Sequence, residues 1–275
     1  MTEEKRFAFG KNWQSFRVDA LDARRIEEAE HGLERLFGLG ALQGRTVLDI
    51  GSGSGLMSLA AHRLGASRIV SFDFDPDSVA CTRALRDEHA RADEAAWSVT
   101  RGSVLDEDFV RSLGHFDVVY AWGVLHHTGD LWRALTHAAL PVRPEGRFAV
   151  AIYNRVEGAL GRFSSESWTR IKASYVGGST LRQDLMVGVF AAWQAAIKLS
   201  RFENPLREVR EYHKSRGMSW LHDARDWLGG YPYEFATVDE VSRYVTHLGF
   251  RTDKLLPVPT DGWGNNEFVF IRDTA

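Results

Sequence analysis

Three glycines at alternate positions, Gly51, Gly53 and Gly55, follow Val47-Leu48-Asp49-Ile50 and lead into Leu56-Met57-Ser58-Leu59-Ala60-Ala61. A short apolar run, broken by glycines and followed by a helical pattern, reads as strand, tight loop and helix. Without a Cβ, the loop backbone turns sharply and lets a flat ligand come close. That arrangement suits a nucleoside. A dinucleotide fingerprint needs glycine at the first, third and sixth positions. Counted from Gly51 the sixth is Leu56, which disfavours a nicotinamide dehydrogenase.

A carboxylate stands where a nucleoside needs one. Arg68-Ile69-Val70-Ser71-Phe72 reads as a second strand ending on Asp73, 22 residues beyond Gly51, the separation at which an acid binds ribose hydroxyls in Rossmann-like folds. Asp75, before Pro76 and Asp77, suits the cap of the next helix. Phe74 either packs on the ligand's base or joins the core. A third strand runs from Trp97 to Arg101, and a fourth, Phe116 to Trp122, leads into Gly123-Val124-Leu125-His126-His127. An imidazole at such a strand end can accept a proton near neutral pH.

Together these segments resemble the class I S-adenosylmethionine-dependent methyltransferases, of the small-molecule type found in ubiquinone biosynthesis. The resemblance rests on the D-x-G-x-G-x-G of Asp49 to Gly55, the acid at Asp73, and the run Gly102-Ser103-Val104-Leu105-Asp106 after the third strand. It continues through the loop ending at His127 and through Leu140 to Gly146, before a fifth strand over Arg147 to Ile152. Residues 40 to 155 carry it best and the final 40 residues more loosely. Ser103 stands where many members have an acid, and Pro144-Glu145-Gly146 where Pro-Gly-Gly is common.

The resemblance implies S-adenosyl-L-methionine as cofactor, leaving as S-adenosyl-L-homocysteine. It assigns Asp49, Gly51, Ser52, Gly53, Asp73, Phe74, Ser103, Val104 and Trp122 to the cofactor. It also implies an α/β, Rossmann-like fold: a seven-stranded sheet with a reversed last hairpin, an N-terminal arm and a mainly helical cap insertion. The expected division is an arm and helix over 1–40, a cofactor-binding core over 41–153, a cap over 154–235, and a final helix and hairpin over 236–275.

Methyl transfer to oxygen requires a base for the acceptor's proton. His127 is the first candidate, with His222 and Tyr153 behind it, whereas His126 is expected to pack inward. The alternative for His127 is a structural role, holding its loop by a backbone hydrogen bond. As a base it would give a rate rising through an apparent pKa of about 5.5–7.5.

Three stretches bear on the acceptor. The arm from Phe7 to Phe16 is dense in aromatics, Trp13 among them, and either closes over the cofactor or staples the first helix to the sheet. That helix begins near Asp22, with Ile26, Ala29, Leu33, Leu36 and Phe37 on one face. In the insertion, Leu185, Met186, Val189, Phe190, Trp193, Ala196 and Ile197 recur at helical spacing and read as one buried stripe. The run from Trp220 to Glu234 mixes aromatic and ionisable residues as a small-ligand pocket does. Asp223, Tyr231 and Tyr233 are its substrate candidates, with cap packing as the alternative. Thr237-Val238-Asp239-Glu240 matches a capping box and opens a helix to about His247. Strands follow near Arg251–Leu256 and Glu267–Ile271. Their loop offers Trp263, Asn265 and Asn266 as secondary acceptor contacts, with Asn266 counted among the substrate residues.

Composition points to a cytoplasmic enzyme of 275 residues, 44% hydrophobic, with net charge −3. That charge recruits neither nucleic acid nor anionic membrane. No apolar stretch follows Met1 to Arg6, so no signal peptide is expected, and no run approaches the ~20 apolar residues of a membrane span. Cys81, the only cysteine, reads as a packed thiol. No cluster has zinc-ligand spacing, so no metal is expected. Between Arg155 and Asp226, 12 Lys or Arg stand against 8 Asp or Glu, which suits either an anionic acceptor or a solvated face. The leading expectation is methyl transfer to an oxygen or nitrogen of a small metabolite. The alternatives are a macromolecular acceptor (RNA or peptide) or a non-catalytic S-adenosylmethionine-binding protein. No basic stripe with interleaved aromatics supports RNA. The oligomeric state stays open.

Overall fold

The computed structural model describes residues 23–90, 96–158, 163–200, 204, 220–259 and 262–274. Of residues 220–223 and 226 it describes the backbone alone. Seven strands form one sheet: β1 (Thr46–Ile50), β2 (Arg68–Asp73), β3 (Trp97–Arg101), β4 (Phe116–Trp122), β5 (Val142–Tyr153), β6 (Phe250–Leu256) and β7 (Asn265–Arg272). Their order is β3-β2-β1-β4-β5-β7-β6. The first five run parallel, and β7 pairs antiparallel with both β5 and β6. The strand order reverses beside β1, the place where open α/β sheets bind ligands at their carboxyl edge.

Alternation along the strands builds a core on each face. On one face Leu48, Ile50, Val119, Phe148 and Val150 pack against α5 (Leu131–Ala139) and α9 (Val238–His247). On the other, Val47, Ile69, Val118 and Tyr120 pack against α1 (Ala23–Phe37), α2 (Leu56–Arg63) and α3 (Pro76–His89). The face expected for the first helix is the buried one: Ile26, Ala29, Leu33, Leu36 and Phe37. Cys81 is buried in α3. A short helix, α4 (Glu107–Ser112), follows β3.

Local signals explain the element ends. Asp75 accepts from the Asp77 backbone N–H with Pro76 at the first turn of α3, and Thr237 and Glu240 form a reciprocal capping box at α9. The turn expected at Pro144-Glu145-Gly146 lies inside β5 as a bulge. Pairing with β4 jumps from Phe116↔Val142 to Val118↔Arg147, and Glu145 takes a left-handed φ of 58°. Its carboxylate meets Arg251 at 2.8 Å.

The insertion supplies α6 (Ser165–Val176), α7 (Thr180–Ser200) and α8 (Trp220–Gly229). Trp168, Tyr175, Val187, Phe190, Leu228 and Tyr233 form its core, with Met186, Trp193 and Trp227 against them. The stripe expected along α7 is therefore corrected. Phe190 is buried and Met186 and Trp193 pack beside it, but Leu185 and Val189 are 67% and 63% exposed. The helix is apolar nearly all round, so periodicity alone does not single out the face that packs. Among the described residues no helix is long and apolar enough to cross a membrane.

Candidate active site

The glycine loop takes the backbone that its sequence foretold. Gly51, Gly53 and Gly55 have φ of 71°, 54° and 84°, a region that costs other residues ~1–2 kcal/mol. A Cβ on Gly51 would lie 2.5 Å from both γ-carbons of Val124, in the loop after β4. The two loops thus touch only because one lacks a side chain.

Beside them opens a cavity of about 490 Å³, within the range of small-ligand sites. It crosses the carboxyl ends of β1 to β5 and the start of β7, the same edge because β7 is reversed. Gly51, Gly53, Asp73, Phe74, Ser103 and Val104 line it towards β3; Trp122, Val124, His127, Thr128, Tyr153, Tyr231 and Asn265 line it towards β7.

Asp73 ties the glycine loop to the next turn. Its carboxylate accepts from the Gly53 N–H at 3.0 Å and from the Asp75 N–H at 2.9 Å. Burial raises its pKa, against the pull of these hydrogen bonds. The Phe74 N–H also bonds the carboxylate, so of its roughly four lone-pair positions at least one remains for a ribose hydroxyl. Phe74 is 52% exposed, with the Arg101 guanidinium 5.8 Å from its ring centre. The core alternative for Phe74 is therefore set aside. Ser103 accepts from the Leu105 N–H.

Asp49 and Ser52 do not line the cavity. Strand alternation turns Asp49 to the opposite face from Ile50, under the loop. Trp97 donates to Ser71, Ser71 to Ser58, and Ser58 to Asp49 across 2.5 Å. Burial pushes the Asp49 carboxyl up to about 7. Ser52 pairs with Thr82 at 2.9 Å. Both support the loop from behind.

The residues after β4 are locked to the end of the insertion. His127 Nδ1 lies 2.7 Å from the Pro232 carbonyl oxygen. That oxygen can only accept, so Nδ1 carries the proton and Nε2 the lone pair. The Glu234 N–H donates to the His126 carbonyl, and the Glu234 carboxylate accepts from the Gly129 and Leu131 N–H groups at 3.0 and 2.9 Å. His126 is wholly buried, as expected, and its Nδ1 accepts from the Tyr153 N–H. Burial lowers the pKa of His127 to about 4. At that value a limb due to His127 would fall below the 5.5–7.5 expected; Pro232 and Tyr153, far from it in sequence, pack beside the half-buried ring.

On β7 neighbouring asparagines part company. Asn265 is the register partner of Tyr153 on β5 and lines the cavity. Its Oδ1 is buried with no donor among the described residues, a state that costs roughly 1–3 kcal/mol. Asn266 points to the other face, accepting from the Val258 N–H and donating to Asn154 Oδ1. Tyr233 also lies off the cavity, in the aromatic core of the cap, 4.9 Å centre to centre from Tyr153. Trp13 lies outside the described residues, as do the side chains of His222 and Asp223.

The cavity fits an adenosyl cofactor by its own geometry: a left-handed glycine cradle, a carboxylate at its edge and an exposed ring beside it. A methyltransferase-domain family profile matches residues 21–229, most of the chain. The chain belongs to that family and is a class I S-adenosylmethionine-dependent methyltransferase by fold and descent. It is 34% identical over 131 residues to the ubiquinone biosynthesis O-methyltransferase of Rhizobium etli, covering 47% of this chain and 50% of that one. A ribosomal protein L11 methyltransferase of Xanthomonas oryzae is 45% identical over 67 residues, 24% of this chain and 21% of its own. The chain spans about half the length of the ubiquinone-type relatives it matches. Among solved structures, the magnesium protoporphyrin IX methyltransferase of Synechocystis with bound S-adenosylhomocysteine superposes with TM-score 0.55 at 13% identity, covering 96% of this chain and 95% of that one. A Haloferax volcanii methyltransferase complex with the activator Trm112 gives 0.53 at 16% identity, over 98% and 96%. At such identities these likenesses concern the fold.

Proposed function

We propose that this protein transfers the methyl group of S-adenosylmethionine to a hydroxyl oxygen, or to a nitrogen, of a small metabolite. The observation that carries this reading is the single cavity edge from Asp73 to His127 and Asn265, which joins a nucleoside-type site to a polar, aromatic-walled space. The ubiquinone-type relative supports an oxygen acceptor.

Asp73 would hold the ribose hydroxyls, Phe74 and Ser103 the base, and Gly51 and Gly53 the path of the cofactor chain. When bound, the cofactor supplies an activated methyl carbon on a sulfonium, which leaves as a neutral thioether. The protein's task is then to place the acceptor lone pair in line, a positioning effect worth several kcal/mol. His127 Nε2 takes the hydroxyl proton as the O–C bond forms, while the proton on Nδ1 stays with Pro232. Trp122, Tyr153 and Tyr231 exclude water from the reacting atoms.

A metabolite extract incubated with the protein and S-adenosylmethionine deuterated at the methyl group tests the reading. Mass spectrometry should find small molecules three mass units heavier than their methylated natural counterparts. Label in RNA or protein and none in small molecules would refute it.

A further inference from the structure

The part of the cavity at β4, β5 and β7 has its own chemistry. Tyr153 and Asn265 stand opposite each other across the β5–β7 ladder, so their side chains emerge side by side on one face. Tyr231 and His127 complete the enclosure. Among the described lining residues there is no lysine or arginine, and the charged groups are the carboxylates of Asp73 and Asp75.

Of the insertion's basic residues that the structure describes, none lines the cavity. Arg155 pairs with Glu166 and Glu240, Arg225 with Asp184, and Arg182 donates to Ser174. Lys172 is buried in the cap, on the Trp227 carbonyl. A carboxylate or phosphate entering this space would touch none of these described residues, and an unpaired buried charge is costly. The described lining therefore offers an anionic acceptor no counter-charge in direct contact.

Asn265 lines this space, and its Oδ1, shielded from solvent in this conformation, has no donor among the described residues; a turn of the amide about χ2 brings that oxygen to the cavity. His127 Nε2 is a second acceptor, and one hydroxyl carries one proton. We infer that Asn265 determines acceptor specificity: its Oδ1 takes a hydrogen bond from a second O–H or N–H of a flat, uncharged acceptor whose reacting hydroxyl faces His127. The inference rests on the methyltransferase reading above. A site built around a hydrogen bond rejects analogues that lack the matching donor, because its own polar group is then left unpaired.

The test uses phenol, the three dihydroxybenzenes, and the same rings bearing a carboxylate. Methyl transfer from labelled S-adenosylmethionine is measured beside calorimetric affinity for S-adenosylhomocysteine. The wild type should prefer its best dihydroxybenzene over phenol by about tenfold or more in kcat/KM, and should disfavour the carboxylated rings. Asn265→Leu should bring that preference to within about threefold with S-adenosylhomocysteine affinity kept within about twofold. Asn265→Asp retains an acceptor oxygen and should retain the preference, which separates lost recognition from a misfolded variant.

Three results would overturn the assignment. One is Asn265→Leu losing S-adenosylhomocysteine affinity tenfold with its probe preference unchanged, which would give Asn265 to the cofactor. Another is a carboxylated ring outperforming the neutral ones. The third is no turnover of any neutral probe by a wild type that binds S-adenosylhomocysteine, which would remove the acceptor class and leave the cofactor reading standing. A wild type that does not bind S-adenosylhomocysteine would sink the methyltransferase reading and this inference with it.

Discussion

The Nδ1–H of His127 donates to the carbonyl oxygen of Pro232, 2.7 Å away and 105 residues further along the chain. One hydrogen bond thereby fixes the tautomer of the candidate base and ties the loop after β4 to the end of the insertion. A structural role and a catalytic one, alternatives in the sequence, are compatible in this geometry. The bond that orients the ring is what leaves Nε2 as its basic atom.

The first prediction follows from that ring. With a pKa near 4, His127 is neutral, and so active as a base, throughout ordinary assay conditions. The wild-type rate should fall only as pH drops through about 4–5, and should be flat from about 5.5 to 8 for an acceptor that does not itself titrate there. His127→Ala should lower kcat by ~10²–10⁴ with affinity for S-adenosylmethionine intact. A full-rate His127→Ala enzyme would return His127 to a purely structural role.

Asp73 gives the second. Asp73→Ala removes the ribose partner and strands the Gly53 and Asp75 N–H groups that it holds. Hydrogen bonds to charged groups contribute roughly 1.5–3 kcal/mol, so calorimetry should record at least a tenfold loss of S-adenosylmethionine affinity. Asp73→Asn keeps one acceptor for the loop and should fall between the two. Unchanged affinity in Asp73→Ala would take the ribose site elsewhere.

The third concerns how closely the two loops approach. Gly51→Ala forces a left-handed alanine and sets its Cβ against Val124, costing ~1–2 kcal/mol for the backbone alone. Melting temperature and cofactor affinity should both drop. Adding Val124→Ala removes the two γ-carbons but leaves a Cβ at 3.0 Å and does not relieve the backbone, so the double variant should recover part of the loss and no more. Full recovery would mean that φ at Gly51 is not under strain.

What the sequence made legible is what is encoded locally. A left-handed backbone needs glycine and a strand end needs a polar residue, so Gly51, Gly53 and Asp73 could be read from their spacing. Which asparagine faces the cavity could not. Asn265 and Asn266 differ by one position, and a slip of one residue in the β5–β7 register exchanges the two faces. That register is set by pairing with a strand more than a hundred residues away. The stripe on α7 failed for a related reason, since the face a nearly all-apolar helix buries is chosen by its neighbours. The basicity of His127 likewise depends on distant Pro232 and Tyr153, whose packing no local pattern announces.

Lys172 supplies the last prediction. It is 1% exposed, its ammonium donates to the Trp227 carbonyl, and it lies 4.2 and 4.9 Å from the centres of the Trp227 and Tyr233 rings. Among the described residues no carboxylate pairs with it. Carbonyl and rings favour the charged form, burial opposes it, and burial prevails, lowering the pKa from 10.5 to about 7. Between those two values the unfolded chain binds a proton that the folded chain does not, so stability rises with pH across that window. The melting temperature should therefore climb from pH 7 to about 9.5. Lys172→Met fills a similar volume with an adaptable apolar chain and removes the titration. Its melting temperature should match or exceed the wild type at pH 7, by about 2–4 °C for each kcal/mol regained, and the slope with pH should flatten. Wild-type stability that is level from pH 7 to 9.5, with Lys172→Met lower by a constant amount, would show that the two rings hold a charged ammonium and that burial does not prevail.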